Sequence, residues 1–157
     1  MSGDPMGYFL TWVTYGTWLP GDARGWVKYR QGWQLPDPVK EREAKARMIE
    51  GACVLTGEQR REVEIQVAET CAHRGWTLHA VNCRTNHLHV VVSADVPNVD
   101  KIRIDLKAWT TRMLKQRYGA RRLRWWAERG SIRYLNREDD LEAAILYVRD
   151  GQDVRRE

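Results

Sequence analysis

Apolar and polar residues along the chain follow two rhythms, one of period two and one of three to four, which separates strands from helices. Residues 8–15 (YFLTWVTY) are aromatic and β-branched and predict a strand. Gly16 stops it, and Leu19-Pro20-Gly21-Asp22 predicts a tight turn. Residues 16–56 carry few regular signals apart from a short helix, which Asp37 caps, Pro38 opens and residues 40–49 continue. Thr56 and Gln59 have capping-box spacing; Val63, Val67 and Cys71 then mark one helix face, and Gly75 ends the helix. Residues 76–83 (WTLHAVNC) and 87–93 (HLHVVVS) predict a hairpin joined at Arg84-Thr85-Asn86. Beyond Pro97, Ile102, Leu106, Trp109 and Met113 step at helical spacing as far as about Tyr118. Residues 131–135 (SIRYL) predict a strand. Asn136 is placed to cap a last helix, with Glu138, Asp139 and Asp140 in its positive first turn and Leu141, Ala144, Ile145 and Val148 as its apolar stripe.

Without the excursion at residues 16–56, the order is βαββαβ followed by an extra helix. This is an α+β, ferredoxin-like arrangement: one antiparallel sheet with two helices on one face, and an open face that the last helix can reach. The 157 residues suit one domain, and 43% hydrophobic with 30% charged residues excludes a disordered chain. No apolar run approaches the roughly 20 residues of a membrane span, and residues 1–5 lack the pattern of a secretory signal. Three cysteines without CxxC spacing exclude a fully paired disulfide framework and fit a reducing cytoplasm.

Charge sharpens the picture. The net charge is only +5, but residues 112–133 hold Arg112, Lys115, Arg117, Arg121, Arg122, Arg124, Arg129 and Arg133 against the single acid Glu128. Trp125 and Trp126 lie inside this run, among eight tryptophans in all. Cations for phosphates beside flat rings for bases make a single-strand-binding surface; the competing reading is a solvated basic face with its tryptophans in the core.

The chemistry gathers at His87 and His89. Residues i and i+2 of a strand share a face, so the two imidazoles stand side by side on the open face while Leu88, Val90 and Val92 point into the core. Such a pair suits a divalent metal with positions left for another ligand and a phosphate. His73 and His79 have no such pairing and read as structural.

The segment TNHLHVVV resembles the histidine-hydrophobic-histidine signature of the HUH endonucleases. YGTWLPGDARG after the first strand, RGWTLHAVNCRTNHLHVVV across the hairpin, LKAWTTRML on the second core helix, and GSIRYL with LEAAILYVRDGQ at the end follow the same order as in single-tyrosine transposases. Among these, the chain most resembles the REP-associated tyrosine transposases (RAYTs). The resemblance implies a transposase that cuts and rejoins hairpin-flanked single-stranded DNA through a 5′-phosphotyrosine. It implies Mg2+ or Mn2+ on His87 and His89, and a prokaryotic, cytoplasmic, nucleoid-associated setting. Tyr147, sixty residues past His87 and at the border of the last helix's apolar stripe, matches the nucleophile, with Tyr134 the second choice. The family's third metal ligand lies one turn beyond the tyrosine; Gly151 stands there and cannot serve, which leaves Gln152. DNA contacts fall to Arg112, Lys115, Arg117, Arg121, Arg122, Arg124, Trp125 and Trp126, and relatives act either as monomers or as homodimers. Two alternatives remain: a non-catalytic single-strand nucleic-acid-binding domain, which leaves His87 and His89 without a role, and a two-histidine phosphoesterase, for which the second H-x-[ST] strand is missing.

Overall fold

Leu10, Leu88, Val90 and Val92 have no exposed surface, and around them the computed structural model, which describes residues 4–151, assembles two packed layers. The elements run β1 (Gly7–Val13), β2 (Trp26–Lys28), β3 (Gly32–Gln34), α1 (Pro38–Ala46), α2 (Gly57–Arg74), β4 (Thr77–Cys83), β5 (His87–Ser93), α3 (Asp100–Tyr118), β6 (Ser131–Leu135) and α4 (Glu138–Leu146). A π-helical turn, Tyr147–Gly151, continues α4. The main sheet is antiparallel in the order β4-β5-β1-β6, the ferredoxin-like order expected of the βαββαβ core.

Local chemistry sets the helix ends. Thr56 Oγ1 accepts from Gln59 N at 3.1 Å and Gln59 Oε1 accepts from Thr56 N at 2.9 Å, so the capping box of α2 is closed. Gly75 ends α2 with φ +75°, a left-handed conformation that glycine adopts without strain. Asp37 caps α1 through Lys40 N. At α4 the cap is displaced by one residue from the expected Asn136: Arg137 holds the cap position and makes no side-chain bond there, so the acidic first turn acts alone.

One sheet face carries Leu10, Trp12, Leu88, Val90 and Val92 against Val63 and Val67 of α2 and Ile102, Leu106 and Leu114 of α3. At roughly 1.5–3 kcal/mol for each such side chain taken out of water, this cluster is the main source of stability. The opposite face carries a smaller cluster, Val91 and Leu135 against Ala144 and Val148. The last helix therefore covers part of the second face and leaves the His87 end of β5 uncovered.

Residues 16–56 hold more structure than their sequence signals: β2 and β3 form a separate two-stranded hairpin, tightly turned with Arg30 at φ +65°. Backbone bonds tie this region to the core at Cys53 N→Tyr15 O and Leu55 N→Thr85 O. A reciprocal clamp adds to them: the Glu50 carboxylate accepts from Leu123 N and Arg124 N, and Arg122 donates to Gly51 O.

Candidate active site

Three strands and the π-helical turn supply the site. In register, Thr11 of β1 stands opposite His89 of β5, and Asn82 of β4 stands opposite His89 on the other side. The strand alternation puts all three on the face away from α2 and α3. The rings of His87 and His89 lie 4.8 Å apart at 74°. Each imidazole is held from behind: His89 Nδ1 is 2.8 Å from Thr11 Oγ1, and His87 Nδ1 is 2.8 Å from Asn86 Oδ1. A partner at Nδ1 orients each ring, and in His89 it leaves Nε2 as the ligating or acid–base atom. Burial, with smaller contributions from His87 and Arg84, lowers the pKa of His89 to about 4, so its imidazole is neutral at physiological pH, as metal ligation requires.

Tyr147 reaches this pair within one chain. Its half-buried ring lies 5.8 Å from His89 and 5.9 Å from Phe9, and Phe9 closes the triangle at 5.4 Å from His89. The turn that carries it is fastened to the sheet by Asn82 Nδ2, which donates to Val148 O at 3.1 Å. The sequence predicts one continuous helix through Tyr147; instead the α-helix ends at Leu146 and the wider π turn begins at the tyrosine itself. Tyr134 faces the other way. It stands in register with Tyr8 and contacts that ring edge-on at 5.3 Å on the α2/α3 side. Tyr118 ends α3 in the same layer. Among the described residues, Tyr147 is the tyrosine that meets the histidine pair.

Other expected site residues fall elsewhere. Trp125 and Trp126 are core residues, 6% and 8% exposed, and this corrects their assignment to base stacking. Trp126 donates to Thr110 Oγ1 at 3.0 Å, contacts Trp12 edge-on and bridges to Thr14. A ring so enclosed offers no face to a base. Arg112, Lys115 and Arg117 lie on α3, behind the sheet from His87 and His89, and Arg117 pairs with Glu62 at 3.3 Å. Arg122 is spent on the clamp to residues 50–52, while Arg121 and Arg124 are exposed on the following loop. Gln152 lies outside the described residues. Arg133 was countable in the basic run but not singled out. On β6 it stands in register with Phe9, and its guanidinium lies 5.3 Å from that ring, at the edge of the Phe9/His89/Tyr147 cluster.

No group of three metal-binding side chains occurs among the described residues, so the histidine pair forms a partial ligand set. Two oriented imidazoles, that of His89 neutral at physiological pH, fit two positions of a divalent ion whose remaining positions would fall to solvent or substrate. No helix of the described residues is long and apolar enough to cross a membrane.

No curated protein matches the chain. A solved structure from Deinococcus radiodurans R1, provisionally described as a transposase, is similar at 16% identity and a TM-score of 0.49, covering 97% of this chain and 90% of its own. The model of the IS200-like transposase family matches residues 48–134, more than half of the chain, a span that includes His87 and His89 and stops short of Tyr147. The chain belongs to the IS200-like transposase family.

Proposed function

We propose that the protein cuts and rejoins single-stranded DNA by transesterification, with Tyr147 as nucleophile and His87 and His89 as the metal-binding pair. The observation that carries this reading is the contact of the Tyr147 and His89 rings on the open sheet face. The phenol oxygen attacks a backbone phosphorus in line, forming a 5′-phosphotyrosine and breaking the bond to the 3′ oxygen. The phenol loses its proton and the departing 3′ oxygen gains one, so the bond is exchanged rather than hydrolysed and a 3′-hydroxyl can reverse the step. Bound Mg2+ or Mn2+ supplies charge withdrawal from a non-bridging phosphate oxygen. Thr11 and Asn86 keep the imidazoles oriented, and Asn82 keeps the tyrosine turn against the sheet. Gln152 is the proposed third ligand. The motif order favours the RAYT subtype and a hairpin with a single-stranded flank as substrate; the tyrosine's position beside its own chain's histidines favours action within one subunit.

The test is incubation of end-labelled hairpin DNA with protein and Mn2+, followed by denaturing electrophoresis. A covalent protein–DNA band, absent in Tyr147→Phe and in EDTA, is the expected result. A band that persists in Tyr147→Phe removes the tyrosine assignment, and full-rate cleavage in EDTA removes the metal. Tight binding with no band in any condition leaves a non-catalytic binder.

A further inference from the structure

A groove of about 460 Å³ opens between the β2/β3 hairpin, the end of β1 and the loop before β6. Its lining includes Thr11, whose hydroxyl holds His89, and Ser131, the register partner of Thr11, so it borders the candidate active site. Three of its rings are substantially exposed: Trp18 at 40%, Tyr29 at 56% and Trp33 at 60%. Each is fixed from one side. Trp33 lies against the backbone of Gly25, where a Cβ would come within 2.1 Å of the indole; Gly25 has φ +89° and no side chain to obstruct it. Trp18 donates to Gly25 O at 2.8 Å and carries the Arg24 guanidinium 4.1 Å above its ring. Tyr29 carries Arg129 at 3.7 Å, with Arg30 at 5.2 Å. Trp26, also in the lining, is buried and bonded to Leu35 O, so it supports the others.

Rigid rings backed by guanidinium groups, in a cleft of small-ligand size beside a phosphate-processing site, fit one ligand chemistry: a flat heteroaromatic base on an anionic backbone. Asp22, in the turn beside the groove, is held by a two-point bond from Arg24, and Glu128 lines the groove next to Arg129. We infer that this groove, built by the excursion, seats an unpaired base of the same DNA strand that crosses His87 and His89. The inference rests on the single-stranded DNA reading above. A base still in a duplex has both faces covered, so the groove selects unpaired nucleotides and provides the stacking that the enclosed Trp125 and Trp126 do not.

The test measures binding alone, by fluorescence anisotropy in EDTA, with three labelled hairpins: one with short single-stranded flanks, one with the same flanks made abasic, and one blunt. Wild-type protein is expected to bind the flanked hairpin roughly 5- to 150-fold more tightly than the abasic one, the range for one stacked base. Trp33→Ala is expected to lose that margin on the flanked hairpin while leaving the other two unchanged, and Trp33→Phe to restore most of it. Tyr29→Ala repeats the test at a second ring. Equal wild-type affinity for flanked and abasic hairpins, or a Trp33→Ala loss shared by all three, overturns the inference. Adduct formation is scored separately. A covalent band with no base-dependent margin sinks the groove alone; a margin with no band sinks the catalytic reading and leaves the groove standing.

Discussion

Thr11→Val replaces one hydroxyl by a methyl group and keeps the β-branch that the strand prefers. The hydroxyl lies 2.8 Å from His89 Nδ1 in the middle of the sheet. With the oxygen accepting from Nδ1–H, the lone pair sits on Nε2, where the proposed metal would bind. Valine leaves Nδ1–H facing a methyl group in a largely buried position, at about 1–3 kcal/mol for the unmet donor. That is a modest fraction of the roughly 5–15 kcal/mol of a typical domain, so the variant folds. Loss of the orienting partner is expected to weaken metal binding about 10- to 100-fold, equivalent to about 1.4–2.7 kcal/mol. The assay is the Mn2+ concentration giving half-maximal adduct rate on a flanked hairpin. It should rise by that factor in Thr11→Val and stay near wild type in Thr11→Ser, with the rate at saturating Mn2+ largely recovered in both. A half-saturation point unmoved in Thr11→Val, beside a lowered melting temperature, refutes the orienting role and reduces the contact to a structural one.

Trp126→Ala removes a buried indole and its bond to Thr110, and should cost about 3–5 kcal/mol in urea unfolding while the folded fraction binds DNA normally. Undiminished stability with a selective loss of flanked-hairpin binding would return the ring to the DNA. Burial raises the thiols of Cys71 and Cys83 to about 11 and 12 and raises that of Cys53 as well. At pH 8 a thiol of pKa near 11 is ionised to about one part in a thousand. Native protein should therefore resist iodoacetamide, with all three cysteines labelled only after denaturation, as read by mass spectrometry.

What could be read from the chain was what local chemistry decides. β5 and β6 fall where their alternation places them, and the caps at Asp37, Thr56 and Gly75 act through neighbours three or four residues away. His87 and His89 share a face by strand geometry alone. The fate of Trp125 and Trp126 depended on distant partners, Tyr15 for the first and Trp12 and Thr14 for the second, which a basic local context cannot disclose. The β2/β3 hairpin escaped notice because its strands have three residues each and its turn uses Arg30, not Asn-Gly, at positive φ. The π turn left no pattern either, since the apolar stripe runs through Val148 in either geometry. The groove combined both difficulties: Tyr29 and Trp33 come from the unrecognised hairpin, Trp18 from the loop before it, and Thr11, Trp12 and Val13 from β1.

The place of β1 between β5 and β6 has a consequence for synthesis. β1, made before the other strands of its sheet, is an interior strand, and neither of its neighbours exists when it leaves the ribosome. At roughly 5–20 residues per second, residues 7–13 wait about 4–15 s for residue 87 to be added. During that interval GYFLTWV, uncharged and rich in aromatic and β-branched residues, has both edges open, the kind of segment that associates with other nascent chains and that holding chaperones cover. Thr11 and His89 meet only after this delay, and Tyr147 follows His89 by a further 58 residues. The proposed catalytic set is therefore completed only when the tyrosine turn is made, and a chain cut short before residue 147 carries the histidine pair without the proposed nucleophile.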